Sequence, residues 1–345
     1  MRIKVLIRLL KDIRYLRFIL KRYGDSLAKG KYYIHNSFRA LTLDTPEARE
    51  KAQKYFDKSK KKSSVTSVAA FLNKTNYFYN RKKSTTNQYE SIYIANNYDK
   101  VREAKLFSFK NQKMLTICTT LEDMQKQLTE YSVLGQAYQM PCVKANERYK
   151  NSLEVSLIDL KPIPSDKAAL DSIAYATAKF SSGKKLQSAS VGELISFAYE
   201  NEEMNLMLEK IVKSIDRSLL DISIPLCMQH GDLSKDNLIY GESEGKTAFW
   251  WIDWEHAGER VFFYDYFFYI INSGLYYDTK SYECYMSGEC DSALGDFFSQ
   301  FGLVFDPDKR KDYFMIFAVI FLKERVCDKG SVTALKQYLD FIEAH

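Results

Sequence analysis

The run H-G-D-L-S-K-D-N at residues 230–237 decides the fold of this chain, together with the run I-D-W-E at residues 252–255. Asp232 and Asn237 are close enough in the first run for one tight loop to turn both side chains toward the same side. The residues between the two runs suffice for a hairpin, with a G-E-S-E-G turn at residues 241–245. Such a hairpin would return the chain to the loop and place Asp253 opposite Asn237.

Two carboxylates and one amide in one place suit phosphoryl transfer from ATP. That reaction needs an in-line hydroxyl, a metal ion that bridges the phosphates, and neutralisation of charge. One carboxylate accepts a hydrogen bond from the acceptor hydroxyl, while the second carboxylate and the amide oxygen hold Mg²⁺. The alternative interpretation is a surface turn followed by a structural aspartate.

Both runs resemble the aminoglycoside phosphotransferase and choline kinase-like family, which carries H-G-D-x-x-x-x-N and, one hairpin later, I-D-[FW]-[ED]. The resemblance implies that Asp232 is the catalytic base and that Asn237 and Asp253 are Mg²⁺ ligands. It also implies that His230 is a buried organiser of the loop and that Glu255 is an auxiliary metal or substrate group.

A further part of the resemblance lies downstream, where A-G-x-R at residues 257–260 is followed by Tyr264 and Asp265. In the family an aspartate that opens the next helix is usually structural. The resemblance therefore implies that Asp265 caps that helix or braces the catalytic loop.

The pattern along the chain predicts an α+β, bilobal protein-kinase-like fold. Its N-terminal lobe is small, antiparallel and β-rich with one helix, and its C-terminal lobe is larger and mainly helical. Short aromatic or β-branched runs between polar turns predict strands at 65–68, 77–79, 89–94, 104–109, 114–119 and 153–158. Apolar residues at three- and four-residue spacing predict helices at 121–138, 166–181, 190–220, 262–275, 292–302 and 310–345.

Three domains follow from this pattern. Residues 1–62 form a basic N-terminal helical extension, residues 63–160 a nucleotide-binding lobe, and residues 161–345 a helical catalytic and acceptor-binding lobe. The extension has 18 Lys and Arg against six Asp and Glu, whereas the whole chain carries a net charge of +6. This asymmetry indicates that the extension meets something anionic.

The predicted N-terminal lobe departs from a kinase pattern on the phosphate side. No glycine lies between Gly30 and Gly135, so Asn96 and Asn97, with nearby backbone N–H groups, would have to contact the phosphates. A kinase also needs a lysine that touches the phosphates and pairs with a helix glutamate.

Lys105 on the strand at 104–109 and Glu130 on the helix at 121–138 are the candidates for this pair. A solvent-exposed strand lysine is the alternative for Lys105. The strand at 153–160 occupies the hinge position, where backbone groups of Ser156 to Ile158 would contact adenine.

The first helix, predicted at residues 2–22, is amphipathic. Ile3, Leu6, Leu10, Ile13, Leu16 and Leu20 form an apolar stripe, and basic residues cover much of the remainder. Two interpretations stay open: the stripe packs on the protein itself, or the helix makes peripheral contact with an anionic membrane.

Composition excludes several classes. The six cysteines form no C-x-x-C pair and no histidines cluster near them, which disfavours a zinc site and indicates reduced thiols. No apolar run approaches the ~20 residues needed to cross a bilayer. The apolar runs of the N-terminus are broken by basic residues, unlike a secretory signal. We therefore expect a cytoplasmic protein, peripheral at the inner face of the membrane if the first helix binds lipid.

The sequence thus predicts an ATP- and Mg²⁺-dependent transfer of the γ-phosphoryl group to a hydroxyl of a small molecule or sugar. Bacterial relatives of this type often act in surface-polysaccharide or lipopolysaccharide assembly. The alternative is a pseudokinase-like nucleotide-binding or scaffolding module without catalysis, which the missing glycines favour. No nucleic-acid-binding module is recognisable, so no nucleic-acid partner is expected.

Overall fold

The computed structural model describes residues 3–56, 66–82, 89–94, 103–135, 138–199, 201–325 and 332–344. It is an α+β protein, as predicted, and the chain divides into two compact units. Unit 1 comprises Met1–Gly135, Met140–Lys161 and Gly241–Ala248. Unit 2 comprises Gln136–Gln139, Pro162–Tyr240 and Phe249–His345. No helix in the described ranges is long and apolar enough to span a membrane.

Unit 1 is built on a sheet whose strand pairs are antiparallel. Its helices are α1 (Ile3–Arg22), α2 (Pro46–Phe56), α3 (Thr66–Lys74) and α4 (Leu121–Leu134). Its strands are β1 (Gly30–Ile34), β2 (Ala40–Leu43), β3 (Tyr79–Asn80), β4 (Ser91–Ile94), β5 (Ala104–Ser108), β6 (Lys113–Ile117), β7 (Val143–Ala145), β8 (Ser152–Ser156) and β9 (Asp159–Leu160). The strand order of the eight-stranded sheet is β3-β1-β2-β4-β5-β6-β8-β7.

The register of this sheet lines up one apolar row across four strands. Leu41 pairs with Ile92, Ile92 with Leu106, and Leu106 with Leu115. Each of the four side chains is completely buried. Since alternate residues of a strand face opposite sides, this row defines one face of the sheet, and Phe107 lies on the other. The two faces have separate cores, the second packed against α2.

Helix α1 covers the first face with its apolar stripe. Ile13, Leu16 and Leu20 are buried in the same core as Ile92 and Leu106. Full burial of an aliphatic side chain contributes roughly 1.5–3 kcal/mol. The packing interpretation therefore holds for these three residues of the stripe, whereas Leu10 lies on the opposite, exposed face.

The domain boundary predicted at residue 63 is wrong. Strands β1 and β2 pair with each other, and β2 pairs with β4 inside the main sheet. The described part of residues 1–62 therefore belongs to unit 1 instead of extending from it. Strands β1 and β2 are five and four residues long, too short for a clear alternating pattern.

Two other expectations for unit 1 are corrected. The strand predicted at 65–68 is replaced from Thr66 onward by helix α3, where Ala69 and Leu72 pack into the first core at helical spacing. The lobe predicted at 63–160 with one helix has two helices in its described residues, α3 and α4. Helix α4 begins at a capping box between Thr120 and Asp123 and is capped at Gly135, before the predicted end at Tyr138.

Unit 2 is mainly helical. Its helices are α5 (Asp166–Ser181), α6 (Val191–Ile195), α7 (Glu202–Ser214), α8 (Tyr264–Tyr276), α9 (Lys280–Met286), α10 (Asp291–Ser299), α11 (Arg310–Arg325) and α12 (Val332–Ala344). Strands β10 (Gln187–Ser190), β11 (Ser223–Gln229) and β14 (Gly258–Val261) form a three-stranded sheet in the order β10-β11-β14. The hairpin of β12 (Leu238–Ser243) and β13 (Lys246–Trp251) starts in unit 2 and has its tip in unit 1.

The helix predicted at 190–220 is therefore split, and β10 and α9 were not predicted. Helix α8 is the centre of unit 2, because all eight residues from Tyr264 to Ile271 are buried. A helix that is apolar on every side is a buried one. Its first turn carries Asp265, the only charged residue of the helix.

Candidate active site

The sequence runs at 230–237 and 252–255 lie in neighbouring loops of unit 2. The loop at 230–237 connects β11 to β12, and the loop at 252–257 connects β13 to β14. Pairing of β11 with β14 places Gln229 opposite Gly258 and joins the loops at one end. At the other end the N–H of Ile252 donates to the carbonyl of Asn237 at 3.1 Å.

The hairpin between the loops closes more tightly than the five-residue turn suggested. Strand β12 ends at Ser243 and β13 begins at Lys246, so only Glu244 and Gly245 form the turn. Both have positive φ, 54° and 75°. A two-residue turn of this conformation matches the twist of paired strands and fixes their register. The register in turn fixes where Asp253 returns to the loop at 230–237.

Asp232 and Asn237 are brought together by the loop itself. The amide Nδ2 of Asn237 donates to the backbone carbonyl of Asp232 at 2.8 Å and lies 3.5 Å from its carboxylate Oδ2. Asn237 is 9% exposed, so its orientation is fixed by packing as well as by these bonds. The amide group thus donates toward Asp232 through nitrogen and retains its oxygen, which is a ligand type that Mg²⁺ accepts.

The ring of His230 contacts the backbone of both loops. Its Nε2 lies 2.7 Å from the carbonyl of Ile252, and its Nδ1 lies 3.3 Å from the N–H of Asp232. A carbonyl can only accept and an N–H can only donate, so the ring is the neutral Nε2–H tautomer. The imidazole is completely buried, and its ring centre lies 4.7 Å from that of Trp254. Burial lowers the pKa of His230 to about 4, which agrees with the neutral tautomer.

Asp265 holds the start of the loop at 230–237. Its carboxylate accepts the N–H of His230 at 2.5 Å and the N–H of Gly231 at 2.8 Å. Its own N–H donates to the side chain of Gln229 at 3.0 Å. Burial raises the pKa of Asp265 to about 7. The two N–H donors have the opposite effect, because they stabilise the carboxylate. These contacts give Asp265 the geometry of a brace.

Only glycine fits at position 231. Its φ is 78°, and an added Cβ would lie 2.4 Å from the carbonyl oxygen of His256. The loop therefore approaches the 252–257 loop at a distance that only glycine permits.

The end of helix α11 contacts both loops. Arg325 donates to the carbonyl of Gly231, and Glu324 accepts the Nε of Arg260 at 3.0 Å. Arg260 also donates to the carbonyl of His256 at 3.1 Å. These two adjacent residues of α11 thus hold the loops from one side. Sequence spacing gave no signal for them, since 94 residues separate Arg325 from Gly231.

Lys235 fastens the outer part of the loop at 230–237. Its ammonium lies 2.9 Å from Asp166 at the start of α5 and 3.4 Å from Asp278 after α8, and its side chain is only 13% exposed. A lysine inside the run was visible in the sequence, but neither acidic partner was.

Asp253 stands in a strained position with its side chain in solvent. It is exposed and has a φ of 66°, in the left-handed region that costs a non-glycine residue roughly 1–2 kcal/mol. Such strain gathers at functional sites. Glu255 is also exposed and lies 3.5 Å from the ring of His256. No group of three or more His, Cys, Asp or Glu side chains in the described ranges is arranged for a metal ion.

The lysine–glutamate pair predicted for the nucleotide side does not form. The ammonium of Lys105 lies 3.2 Å from Glu103, two residues away on the same face of the chain. Glu130 instead lies 3.7 Å from Lys126, one helical turn earlier. In both cases a partner close in the sequence takes the place of the predicted long-range partner, and only Lys126 and Glu130 are one helical turn apart.

The remaining residues predicted to contact the nucleotide are the two asparagines and the hinge residues Ser156 and Ile158. Asn96 and Asn97 lie outside the described residues. The N–H of Ser156 donates to the carbonyl of Cys142 at 2.9 Å, so this donor is used within unit 1. The carbonyl of Ile158 accepts the hydroxyl of Tyr55 at 2.8 Å and keeps one lone pair.

Comparison with known proteins gives only structural likeness. No family model matches the chain, and no curated protein sequence matches it. An amicoumacin kinase in complex with AMP-PNP and Ca²⁺ is 14% identical, covers 73% of this chain and 88% of its own, and has a TM-score of 0.42. A choline kinase from Streptococcus pneumoniae is 14% identical, with coverages of 70% and 90% and a TM-score of 0.40. A GDP complex of an aminoglycoside 2′-phosphotransferase is 13% identical, with coverages of 74% and 92% and a TM-score of 0.42.

Two of these proteins, the choline kinase and the aminoglycoside phosphotransferase, carry the names of the family that the sequence resembles. Because their identities and TM-scores are low, the likeness assigns neither activity nor ligand to this chain.

Proposed function

We propose that the chain is a phosphotransferase that uses ATP and Mg²⁺ to phosphorylate a hydroxyl of a small molecule or sugar. One observation carries the proposal. The bonds of Ile252 to Asn237 and of His230 to Ile252 join the loop that carries Asp232 and Asn237 to the loop that carries Asp253. Phosphoryl transfer needs little covalent help from a protein beyond such a constellation.

Asp232 is the base in this proposal. Its carboxylate accepts the hydrogen bond of the acceptor hydroxyl and takes the proton as the oxygen attacks the γ-phosphorus. The new O–P bond forms as the bond from phosphorus to the β,γ-bridging oxygen breaks, and ADP leaves with that electron pair. The bond from Asn237 to the carbonyl of Asp232 holds the base in place before the acceptor arrives. Such preorganisation lowers the barrier without a cost at the moment of reaction.

Asn237 and Asp253 would hold the metal ion. The side chains of both residues offer oxygen atoms, which are the ligands that Mg²⁺ prefers. When bound, Mg²⁺ neutralises phosphate charge and orients the transferred group. Two protein ligands are enough for an ion that usually keeps waters and takes phosphate oxygens as well. The φ of 66° sets the backbone direction of Asp253 where the chain leaves the hairpin.

The acceptor is proposed only as a class. Burial raises the pKa of Tyr338 in α12, and Tyr276 raises it further. Small-molecule sites are lined mainly by apolar and aromatic side chains, which suit the apolar faces of a sugar or another small organic acceptor. We also propose a cytoplasmic location and a role in assembly of a surface polysaccharide or lipopolysaccharide, in keeping with a basic N-terminal helix.

The second candidate, a nucleotide-binding module without catalysis, is favoured by one observation. Lys105 pairs with Glu103 and not with Glu130, so the usual lysine–glutamate arrangement is missing from the described part of unit 1. Both candidates bind nucleotide, so binding does not distinguish them. Only the phosphotransferase turns ATP over.

The experiment compares the wild type with Asp232→Asn and with Asp236→Asn. The second variant is a matched control, since Asp236 is exposed and lies in the same loop. Binding of Mg²⁺·ATP is measured by calorimetry, and release of phosphate from ATP is measured with and without a panel of sugar and small-molecule alcohols. General-base assistance is typically worth about 10²-fold or more.

We expect Asp232→Asn to bind Mg²⁺·ATP as the wild type does and to turn over at least ~100-fold more slowly, with Asp236→Asn near the wild-type rate. Equal rates in all three proteins would remove Asp232 from the base position. Tight binding of Mg²⁺·ATP with no turnover by the wild type, whatever alcohol is offered, would support the non-catalytic module instead.

A further inference from the structure

Helix α1 has a second face that the core of unit 1 does not use. Three bulky apolar side chains on it stay largely in solvent, with exposed fractions of 50% for Ile7, 46% for Leu10 and 50% for Phe18. Tyr77, which follows α3, is 37% exposed and lies under the guanidinium of Arg17, 4.8 Å from its ring centre. The exposed surface around α1 therefore has several apolar side chains, including one from outside the helix.

From Ile7 onward, every charged side chain described on this face is basic. The exposed basic residues of the face are Lys11, Arg14, Arg17, Lys21 and Arg22. The helix contains a single acidic residue, Asp12, which is buried at 9% exposure. At 100° per residue the exposed positions span an arc of about 140°. Ile7 and Phe18 lie within this arc, with basic residues on both sides. We call these eight residues of α1 the cationic face.

We infer that the cationic face of α1 docks unit 1 onto the surface of an anionic lipid bilayer, with the helix lying in the plane of the interface. Apolar side chains flanked by Lys and Arg are what such a helix requires, since the apolar groups enter the headgroup region and the cations meet lipid phosphates. Both contributions come from one side of the helix. The other side stays packed on the sheet through Leu16 and Ile19.

In an isolated amphipathic helix the apolar stripe would face the membrane, whereas here it faces the protein. The buried stripe holds the helix on unit 1, and the opposite face supplies the lipid contact. The helix thus does not have to leave the protein to bind a membrane.

Charge complementarity selects the occupant. A second copy of the same face would bring five cations against five, and like charges in contact are destabilising. A nucleic acid would satisfy the cations, but it would leave Ile7, Leu10 and Phe18 against phosphate. An anionic bilayer satisfies the basic and the apolar side chains at once.

The experiment measures partition of the full chain onto vesicles, without ATP, so that its result is independent of the proposed phosphotransfer. Vesicles of phosphatidylcholine alone are compared with vesicles that contain phosphatidylglycerol, at low and at high salt. The test variant is Lys11→Gln, Arg14→Gln and Lys21→Gln combined. The control has the same change of charge at three exposed lysines of unit 2, Lys179, Lys185 and Lys311.

We expect the wild type and the control to bind the anionic vesicles at low salt, to release at high salt, and to ignore phosphatidylcholine. The test variant should bind roughly a hundredfold more weakly, given the known contribution of each basic residue near an anionic surface. Equal weakening by the control, or unchanged binding by the test variant, would overturn the assignment of the face.

A second variant, Leu10→Gln with Phe18→Gln, tests the apolar part. Its melting temperature should equal that of the wild type because both side chains are about half exposed, and its vesicle binding should fall as well. Binding of an RNA or DNA duplex that is lost with the three cations, without any vesicle binding by the wild type, would overturn the lipid assignment.

Discussion

The buried His230 makes a quantitative prediction about stability and pH. Its ordinary pKa is 6.5, and burial lowers it to about 4 in the folded chain. Between these values the unfolded chain binds a proton that the folded chain does not bind. Stability from this residue is therefore complete above about pH 6.5 and is lost as the pH falls toward 4.

The magnitude follows from the size of the shift. A shift of one pKa unit corresponds to about 1.4 kcal/mol, so the full loss on acidification is about 3 kcal/mol. Between pH 7 and pH 5 the loss amounts to about 2 kcal/mol. The physical cause is that a protonated ring, completely buried against Trp254, would lose its hydration, and its Nδ1 would no longer accept the N–H of Asp232.

The matched variant is His230→Gln, which retains an N–H donor for the carbonyl of Ile252 but does not titrate. Urea unfolding of both proteins at a series of pH values gives the free energy of unfolding. The wild type should lose about 2 kcal/mol more than the variant between pH 7 and pH 5. The other titrating groups are common to both proteins and cancel in the difference. If the difference between the two proteins is flat over this range, the neutral buried imidazole is wrong.

Three further results are expected from the same structure. Asp253→Ala should weaken Mg²⁺-dependent ATP binding in calorimetry more than Asn237→Ala does, because only the carboxylate neutralises charge; the reverse order would contradict the ligand assignment. Gly231→Ala should lower both the melting temperature and turnover, since its Cβ would lie 2.4 Å from the carbonyl of His256, and a variant with normal turnover would refute the close approach of the loops. Leu16→Ala should cost roughly 2–5 kcal/mol of stability in urea unfolding, whereas a loss under 1 kcal/mol would show that α1 does not pack as described.

Local patterns predicted the parts of the fold that depend on short-range order. Helix α5 was predicted at 166–181 and is found there, because Ser165 caps its first turn and its apolar residues repeat at helical spacing. The hairpin between the two loops was also predicted, since two apolar runs flank a glycine-containing turn. Its exact closure depended on positive φ at Glu244, which the sequence did not reveal.

The sequence by itself determined which two runs form the neighbouring loops of the candidate site, 230–237 and 252–255. The hairpin between the runs is local, and its geometry alone returns Ile252 to Asn237. Partners that are distant in the chain could not be predicted in this way, because periodicity shows that a residue is apolar or charged but not what it contacts.

Only the tertiary structure decided the rest. It placed β1 and β2 in the main sheet, it paired Lys105 with Glu103, and it brought Arg325 to the carbonyl of Gly231. It also decided which face of α1 is buried, since a helix with apolar residues on two sides can pack on either. The physical reason is common to all of these: the free energy of a contact belongs to a pair of groups, and the pair exists only once the chain has folded.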